Sequence, residues 1–77
     1  MKQKKRFKNY SAPALDKGLD ILELLSTSEN GLTQVQIASK LNKSVNEIYR
    51  MLSTLRLREY ITLEEETDVY NLSYKIL

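Results

Sequence analysis

TQVQIASKLNKSVNEIYRMLSTLRLR, residues 33–58, is the stretch that decides the fold of this 77-residue chain. Its apolar residues recur at intervals of three and four on both sides of a short polar break, which is typical of two amphipathic helices. Thr33 and Gln36 have the spacing of a capping box, and so have Ser44 and Glu47, so each segment has its own start signal. The stretch therefore predicts two short helices separated by only a few residues.

Three positions in this stretch set the angle between the two predicted helices. Ala38 is small where the helices must approach each other, Asn42 tolerates a left-handed turn, and Ile48 returns to the core. This spacing is typical of a helix-turn-helix, whose helices cross at about 90–120° and leave one face of the later helix, at about 45–58, free to enter the DNA major groove. The predicted inner faces are Val35, Ile37, Ala38 and Leu41 in the first of the two helices, and Ile48, Leu52 and Leu55 in the second.

A further amphipathic helix precedes this stretch and is predicted to begin at Pro13, because proline costs little at the first helical position. Gly18 lies inside this helix, where it costs about 1 kcal/mol relative to alanine but lets another helix pack closely. Residues 26–31 form a loop in which Asn30-Gly31 is the turn signal. The predicted buried stripe is Leu15, Leu19, Leu22 and Leu25, with Ile21 and Leu24 nearby.

The hydrophobic period changes from helical to alternating after Glu59. Residues 60–63 and 69–72 are predicted strands, and residues 65–68 form a tight polar turn between them. An isolated hairpin is only marginally stable, so this one must pack on the helices. The sequence therefore predicts a mainly α fold with a small β-hairpin, a three-helix winged helix-turn-helix over residues 13–73.

The two ends of the chain are predicted to lie outside this domain. Residues 1–12 lack helical periodicity and form a flexible basic arm, and residues 74–77 begin a linker helix. A basic arm on a folded body often reaches toward nucleic acid, although a solubilising tail has the same composition. The basic residues of the arm are Lys2, Lys4, Lys5, Arg6 and Lys8, whereas acidic residues crowd the hairpin at Glu59, Glu64, Glu65, Glu66 and Asp68.

The composition argues against an enzyme. The chain has no cysteine and no histidine, so it has no disulfide, no thiolate metal site and none of the commonest general bases near neutral pH. Glu64, Glu65 and Glu66 are adjacent on a predicted strand and turn, so their carboxylates point in different directions and form no metal site. No apolar run reaches the roughly 20 residues of a membrane span. The first residues are basic, but no apolar stretch follows them, so we expect no signal peptide. We therefore expect a cytoplasmic protein with no catalytic residues, no cofactor and no membrane partner.

Several segments resemble the amino-terminal domain of the IclR-type bacterial transcription regulators. The resemblance covers nearly all of residues 12–77 in order: residues 14–25 look like the first helix, 31–33 like the start of the second, 48–55 like the recognition helix, and 60–61 with 70–72 like the wing. The resemblance implies sequence-specific binding of double-stranded DNA by a longer regulator that works as a dimer or tetramer, and we expect a homodimer. It also implies a small-molecule effector that acts only through a carboxy-terminal domain absent from this chain.

The chain departs from the family pattern at the turn and at the wing tip. Residues 44–47 replace a Pro-Lys-Ser-Thr type segment, and Lys43 stands where an apolar residue is expected, so Val45 is expected to take over that packing role. The wing tip is acidic, where a basic or neutral tip suits phosphate better. The family's base-contacting residues therefore do not transfer one for one.

The face of the third helix opposite its apolar stripe supplies the main candidates for DNA contact. Asn46 can make a bidentate contact to adenine, and Arg50 can do so to guanine or bind phosphate instead. Glu47 can accept a bond from cytosine, but it is equally suited to capping with Ser44, and Tyr49 can instead cover the edge of the core. The candidates are Asn46, Glu47, Tyr49, Arg50, Ser53 and Thr54.

The remaining candidates are phosphate contacts. The start of the second helix suits a phosphate oxygen, although its polar residues can serve as caps alone. Lysines near the turn can neutralise backbone charge or be solvated, and the amino-terminal arm is expected to contribute more than the acidic wing. These candidates are Thr33, Gln34, Gln36, Lys43, Arg6 and Lys8. The alternative function is a winged helix that binds protein without specific DNA binding, which the acidic hairpin and the departures at residues 44–47 favour.

Overall fold

The computed structural model describes residues 12–73, which form three helices and a three-stranded antiparallel sheet. The elements in chain order are α1 (Pro13–Ser26), β1 (Leu32–Thr33), α2 (Gln34–Leu41), α3 (Val45–Leu57), β2 (Ile61–Glu64) and β3 (Val69–Leu72). The helix-turn-helix is α2 with α3, and the wing is the hairpin of β2 and β3. The predicted fold class, a three-helix winged helix-turn-helix, is confirmed.

The ends of α2 follow the local chemistry of its sequence. The Gln36 amide donates to Thr33 Oγ1 at 3.2 Å, and the Thr33 amide donates to Gln36 Oε1 at 2.9 Å, so the predicted capping box is complete. At the other end Asn42 adopts φ 58° and ψ 47°, the left-handed conformation expected there. The Lys43 amide then donates to the Ala38 carbonyl at 2.9 Å, which closes the turn before α3.

The start of α3 has only half of its predicted capping box. The Glu47 amide donates to Ser44 Oγ at 3.1 Å, as expected. The main partner of the Glu47 carboxylate is the ammonium of Lys17 in α1, with which it forms an ion pair, and the Ser44 amide adds only a weak interaction. The predicted reciprocal box is therefore only partly formed at α3, because the strongest partner of the carboxylate comes from another helix.

A left-handed residue also ends α3. Glu59 adopts φ 69°, and the Tyr60 amide donates to the Leu55 carbonyl at 2.9 Å. The Glu59 amide donates to the Arg56 carbonyl at 2.9 Å. These two bonds form a Schellman motif, which turns the chain sharply from α3 into β2.

The sheet has one strand more than the sequence predicted. β3 is the middle strand, pairing with β2 in the hairpin and with β1 on its other side, where Leu32 lies opposite Tyr70. Gly31 adopts φ 77° immediately before β1, and a Cβ there would lie 2.6 Å from the Tyr70 carbonyl oxygen. Only glycine fits this approach of the loop to β3.

The core lies where the three helices meet the sheet. Its fully buried side chains come from α1, α2, α3 and β2, namely Ile21, Ile37, Ile48, Leu52 and Ile61. Ala38 and Ile48 are both buried, as the helix-turn-helix spacing requires. Among the helices of residues 12–73, none combines the length and apolar composition needed to cross a lipid bilayer.

Four residues predicted to be packed inside are exposed. Val35 lies two positions before buried Ile37, about 200° round the helix, so the two cannot share a face. In α1 the buried stripe centres on Ile21 and Leu25. Leu15 and Leu19 lie more than about 100° round the helix from Ile21, and within residues 12–73 they stay exposed. Val45, expected to fill a packing position at the start of α3, is 41% exposed.

Gly18 does not serve as a close contact between helices. A Cβ added there would meet no atom within 4 Å among the residues that the structure describes. The expectation that this glycine lets another helix pack closely was therefore wrong for residues 12–73. It lies instead in an open groove between α1 and α3, which is lined by Leu15, Leu19, Leu22, Met51, Leu55 and Tyr60 and called here the α1–α3 groove.

Candidate nucleic-acid interface

The outward face of α3 carries polar side chains that have no partner inside the domain. Asn46 and Arg50 are four residues apart and therefore share one face of the helix, opposite Ile48 and Leu52. Both side chains are exposed, and neither makes a hydrogen bond or ion pair within residues 12–73. Ser53 continues this exposed face. The fold thus leaves amide, guanidinium and hydroxyl groups available to an external partner.

Tyr49 and Thr54 flank this face on opposite sides. Tyr49 is 55% exposed, so it covers the core edge only in part. Tyr49 lies near Tyr70 on β3, whose phenol is buried. This burial raises the pKa of Tyr70 above its ordinary value, and the nearby charge of Arg56 opposes the shift. Thr54 is exposed and lines the α1–α3 groove, so it lies toward α1, away from the wing.

Glu47 is placed differently from the other α3 candidates. Its pKa is lowered, first by the hydrogen bond from Lys17 and then by the charges of Lys17 and Lys43, while partial desolvation opposes the shift. A carboxylate held by a lysine is a poorer acceptor for the amino group of cytosine. The Glu47 side chain thus has a partner in Lys17 within the domain, and its contact with a base stays a prediction.

The three candidates at the start of α2 all have intramolecular partners. Thr33 and Gln36 cap each other, as described above. Gln34 Nε2 donates to the Val45 carbonyl at 3.3 Å, which links the first turn of α2 to the first turn of α3. The Gln34 contact thus joins the two helices, and the sequence pattern did not predict it, whereas the Thr33–Gln36 capping box lies within α2 and was predicted.

The charged candidates differ in how far the structure describes them. Lys43 is exposed in the turn between α2 and α3. Arg6 and Lys8, in the predicted amino-terminal arm, lie outside the described residues 12–73. One acid of the wing tip is paired with α3, since Glu65 Oε2 lies 3.7 Å from Nη2 of Arg56. The other acids of the turn remain exposed, which makes the wing tip unfavourable for phosphate.

Sequence reasoning missed two features of this surface. The pairing of Lys17 with Glu47 joins residues that are 30 positions apart, and no local pattern signals it. Exposed Val35 and Val45 were assigned to the interior because they are apolar. Within the described part of the chain, no cluster of three or more acidic side chains is arranged to hold a metal ion.

Comparison with known proteins agrees with this geometry. The family model of the IclR helix-turn-helix domain matches residues 14–65, which include all of α1 after Pro13, the whole helix-turn-helix and the first strand of the wing. The chain belongs to the IclR helix-turn-helix family. A curated relative is the HTH-type transcriptional regulator BhcR of Paracoccus denitrificans (strain Pd 1222), which is 36% identical over 58 residues. This IclR membership supports DNA binding in transcription regulation.

Two solved structures share the IclR-type fold. An IclR family transcriptional regulator from Brucella abortus has a TM-score of 0.81 and 26% identity, with 95% of this chain and 28% of that chain covered. An IclR transcriptional regulator from Alicyclobacillus acidocaldarius has a TM-score of 0.80 and 23% identity, with 88% and 28% covered. The match to BhcR covers 75% of this chain and 20% of the relative. The chain therefore spans about a fifth of the curated relative that it matches.

Proposed function

We propose that this IclR helix-turn-helix domain binds double-stranded DNA sequence-specifically, with α3 as the recognition helix in the major groove. The observation that carries the proposal is the outward face of α3, where Asn46 and Arg50 are exposed and unpaired within residues 12–73. In helix-turn-helix proteins this face, and its amino-terminal part above all, contacts base edges. Control of transcription follows from the family of the domain, and the function requires no catalytic step.

Within this face the two strongest candidates have different chemistry. Asn46 lies in the first turn of α3 and presents an amide that can pair with the N6 and N7 of adenine. Arg50 lies one turn later and can pair with the O6 and N7 of guanine, or bind a phosphate. Ser53, Tyr49 and Lys43 are placed to add contacts to the flanking backbone.

The test begins with selection of bound sequences from a random duplex library by the 77-residue chain. We expect a consensus sequence and an affinity that falls steeply with salt, because phosphate contacts release counterions. N46A is expected to lower the affinity for the consensus about tenfold and to relax one base preference. N30A, which removes an exposed asparagine from the loop before β1, is the matched control and should bind like the parent. Binding that is unaffected by N46A and R50A would refute this role of α3.

Arg6 and Lys8 are proposed to add phosphate contacts from the amino-terminal arm. Replacing both with alanine should reduce the slope of log affinity against log salt by about two units, one for each lost contact. An unchanged slope would remove the arm from the interface.

A homodimer is the proposed working form, because one helix-turn-helix buries little DNA surface and two half-sites give useful affinity. The α1–α3 groove supports this proposal, since Leu15 and Leu19 are 60% and 43% exposed beside it. Apolar side chains grouped in this way favour contact with a second protein surface.

The relatives' greater length supports a further proposal, that a small-molecule effector acts through a carboxy-terminal domain beyond this chain. The domain itself is proposed to act in the cytoplasm, where DNA is accessible in a bacterium.

A further inference from the structure

We propose that Val45 selects thymine at one position of the bound DNA by contact with its 5-methyl group. This inference rests on the proposed function of α3 and names a base preference that none of the polar candidates supplies. It starts from an apolar feature of the surface that the fold does not use. Val45 is the first residue of α3 and is 41% exposed, although the exposed residues that follow it on that face, Asn46 and Arg50, are polar.

Val45 has an apolar neighbour on the same surface. Val35, in the first turn of α2, is 64% exposed, and both valines line a cleft of about 590 Å³ between α2, α3 and the wing. Leu63 and Tyr70 also line the cleft, and its polar groups come from Thr33, Gln34, Thr67 and the acidic Asp68. The leading end of α3 is therefore an apolar patch beside polar groups.

One contact holds the backbone of Val45 itself, and a second fixes the helix cap directly before it. The Gln34 side chain donates to its carbonyl at 3.3 Å, and Ser44, directly before it, caps the helix through the Glu47 amide at 3.1 Å. A side chain on a fixed first turn is presented in a defined direction, which base discrimination requires. Asn46, the adjacent residue, is the candidate for contact with a base edge, so Val45 is next to the proposed interface.

The chemistry identifies the group that this side chain can recognise. In the major groove the 5-methyl group of thymine is the apolar group on the base edges, and the other recognition points are hydrogen-bond donors and acceptors. A valine at the groove floor gains from covering that methyl and leaves a cytosine amino group without a partner. Covering one methyl group corresponds to about a fourfold gain in affinity.

The experiment compares thymine with deoxyuridine, which differs only by lacking the methyl group and pairs with adenine in the same way. The selected consensus duplex is prepared with deoxyuridine at each thymine in turn, and binding to the 77-residue chain is measured by fluorescence anisotropy. We expect one position at which deoxyuridine weakens binding about fourfold. V45S is expected to bind the two duplexes equally at that position, whereas V45T, which keeps one methyl group, should retain part of the preference.

The matched control is L57S at the opposite end of α3, where Leu57 is 82% exposed. It should keep the full thymine preference, and urea denaturation of each variant verifies that the fold is intact. A consensus without thymine, equal binding of thymine and deoxyuridine everywhere, or a full preference in V45S would each overturn the inference while leaving the proposed function standing. Failure of the parent chain to bind any duplex would overturn both.

Discussion

At the scale of single residues, Gly31 is the position where the backbone permits the least change. Its φ of 77° is strained for any other residue, and a Cβ would collide with the Tyr70 carbonyl oxygen and the side chain of Val69. We expect G31A to lower the free energy of unfolding by about 3 kcal/mol, the sum of backbone strain and displacement of β3. Urea denaturation followed by circular dichroism measures this change.

Gly18 provides the matched comparison for that substitution. It lies inside α1, and a Cβ there meets no atom within 4 Å among the described residues. G18A is therefore expected to raise the free energy of unfolding by about 1 kcal/mol, because alanine is the better helix former. Equal effects of the two substitutions would contradict the distinct roles assigned to these glycines.

Glu59 adopts a backbone conformation that is unfavourable for a residue other than glycine. Its φ of 69° ends α3 in the left-handed region, which costs a residue other than glycine about 1–2 kcal/mol. E59G should therefore stabilise the domain by about 0.5–1 kcal/mol, after allowance for the greater freedom of glycine in the unfolded chain. Thermal unfolding measures the gain.

E66G controls for the loss of charge in that experiment. Glu66 lies in the wing turn and is not among the positive-φ positions of the described chain, so the same change should give no gain in stability there. A similar rise in Tm for both variants would attribute the effect to charge instead of backbone conformation.

At the scale of elements, the ion pair between Lys17 and Glu47 joins α1 to the first turn of α3. It lowers the pKa of Glu47 below its ordinary value of 4.5, so the pair stabilises the fold above that pH. As the pH falls through the lowered pKa, Glu47 is protonated and the contribution is lost. We expect K17M to be less stable than the parent at pH 7, and the difference to vanish in acid.

The measurement is the Tm of both proteins between pH 7 and pH 2.5. K40M removes an exposed lysine that has no ion pair within residues 12–73, and its profile should run parallel to that of the parent. A parallel profile for K17M as well would show that the pair adds nothing to stability.

The helices could be predicted from sequence because their signals are local. The Thr33 cap, the left-handed Asn42 and the buried Ile48 each follow from side-chain chemistry within a few residues. β1 could not be predicted, since it has two residues and forms only by pairing with β3, which is distant in sequence. Val35 shows a second limit of sequence reasoning. Its apolar side chain indicated burial, but it lies on the face of α2 opposite buried Ile37 and is exposed.

The candidate site also has one part that could be predicted from sequence and one that could not. The exposure of Asn46 and Arg50 follows from the helical period of α3, and it is confirmed, whereas their contact with DNA remains a prediction. The main contact of the Glu47 carboxylate is with Lys17 in a different helix. No local pattern could therefore separate a capping role of Glu47 from a base contact. Long-range pairing is the information that local sequence patterns do not reveal.

At the scale of the whole molecule, the α1–α3 groove provides a test of the proposed homodimer. If a second copy covers this groove, L19E places a charge in the contact and should weaken dimerisation at least tenfold, since burial of one leucine contributes more than 1.4 kcal/mol. Sedimentation velocity over a range of concentrations measures the change. L57E, an exposed leucine on α3 outside the groove, should sediment like the parent. A parent chain that is monomeric at all concentrations would contradict dimerisation by this domain alone.

The order of strands in the sheet also governs how the domain is made. β3 is the last strand to leave the ribosome, yet it is the middle strand to which both β1 and β2 are hydrogen-bonded. Neither earlier strand has its native partner until Val69–Leu72 has been synthesised, so a chain that ends before that point cannot form this sheet. The sheet can therefore form only after almost the whole domain has been synthesised, and β1 gains its hydrogen-bonded partner at that point.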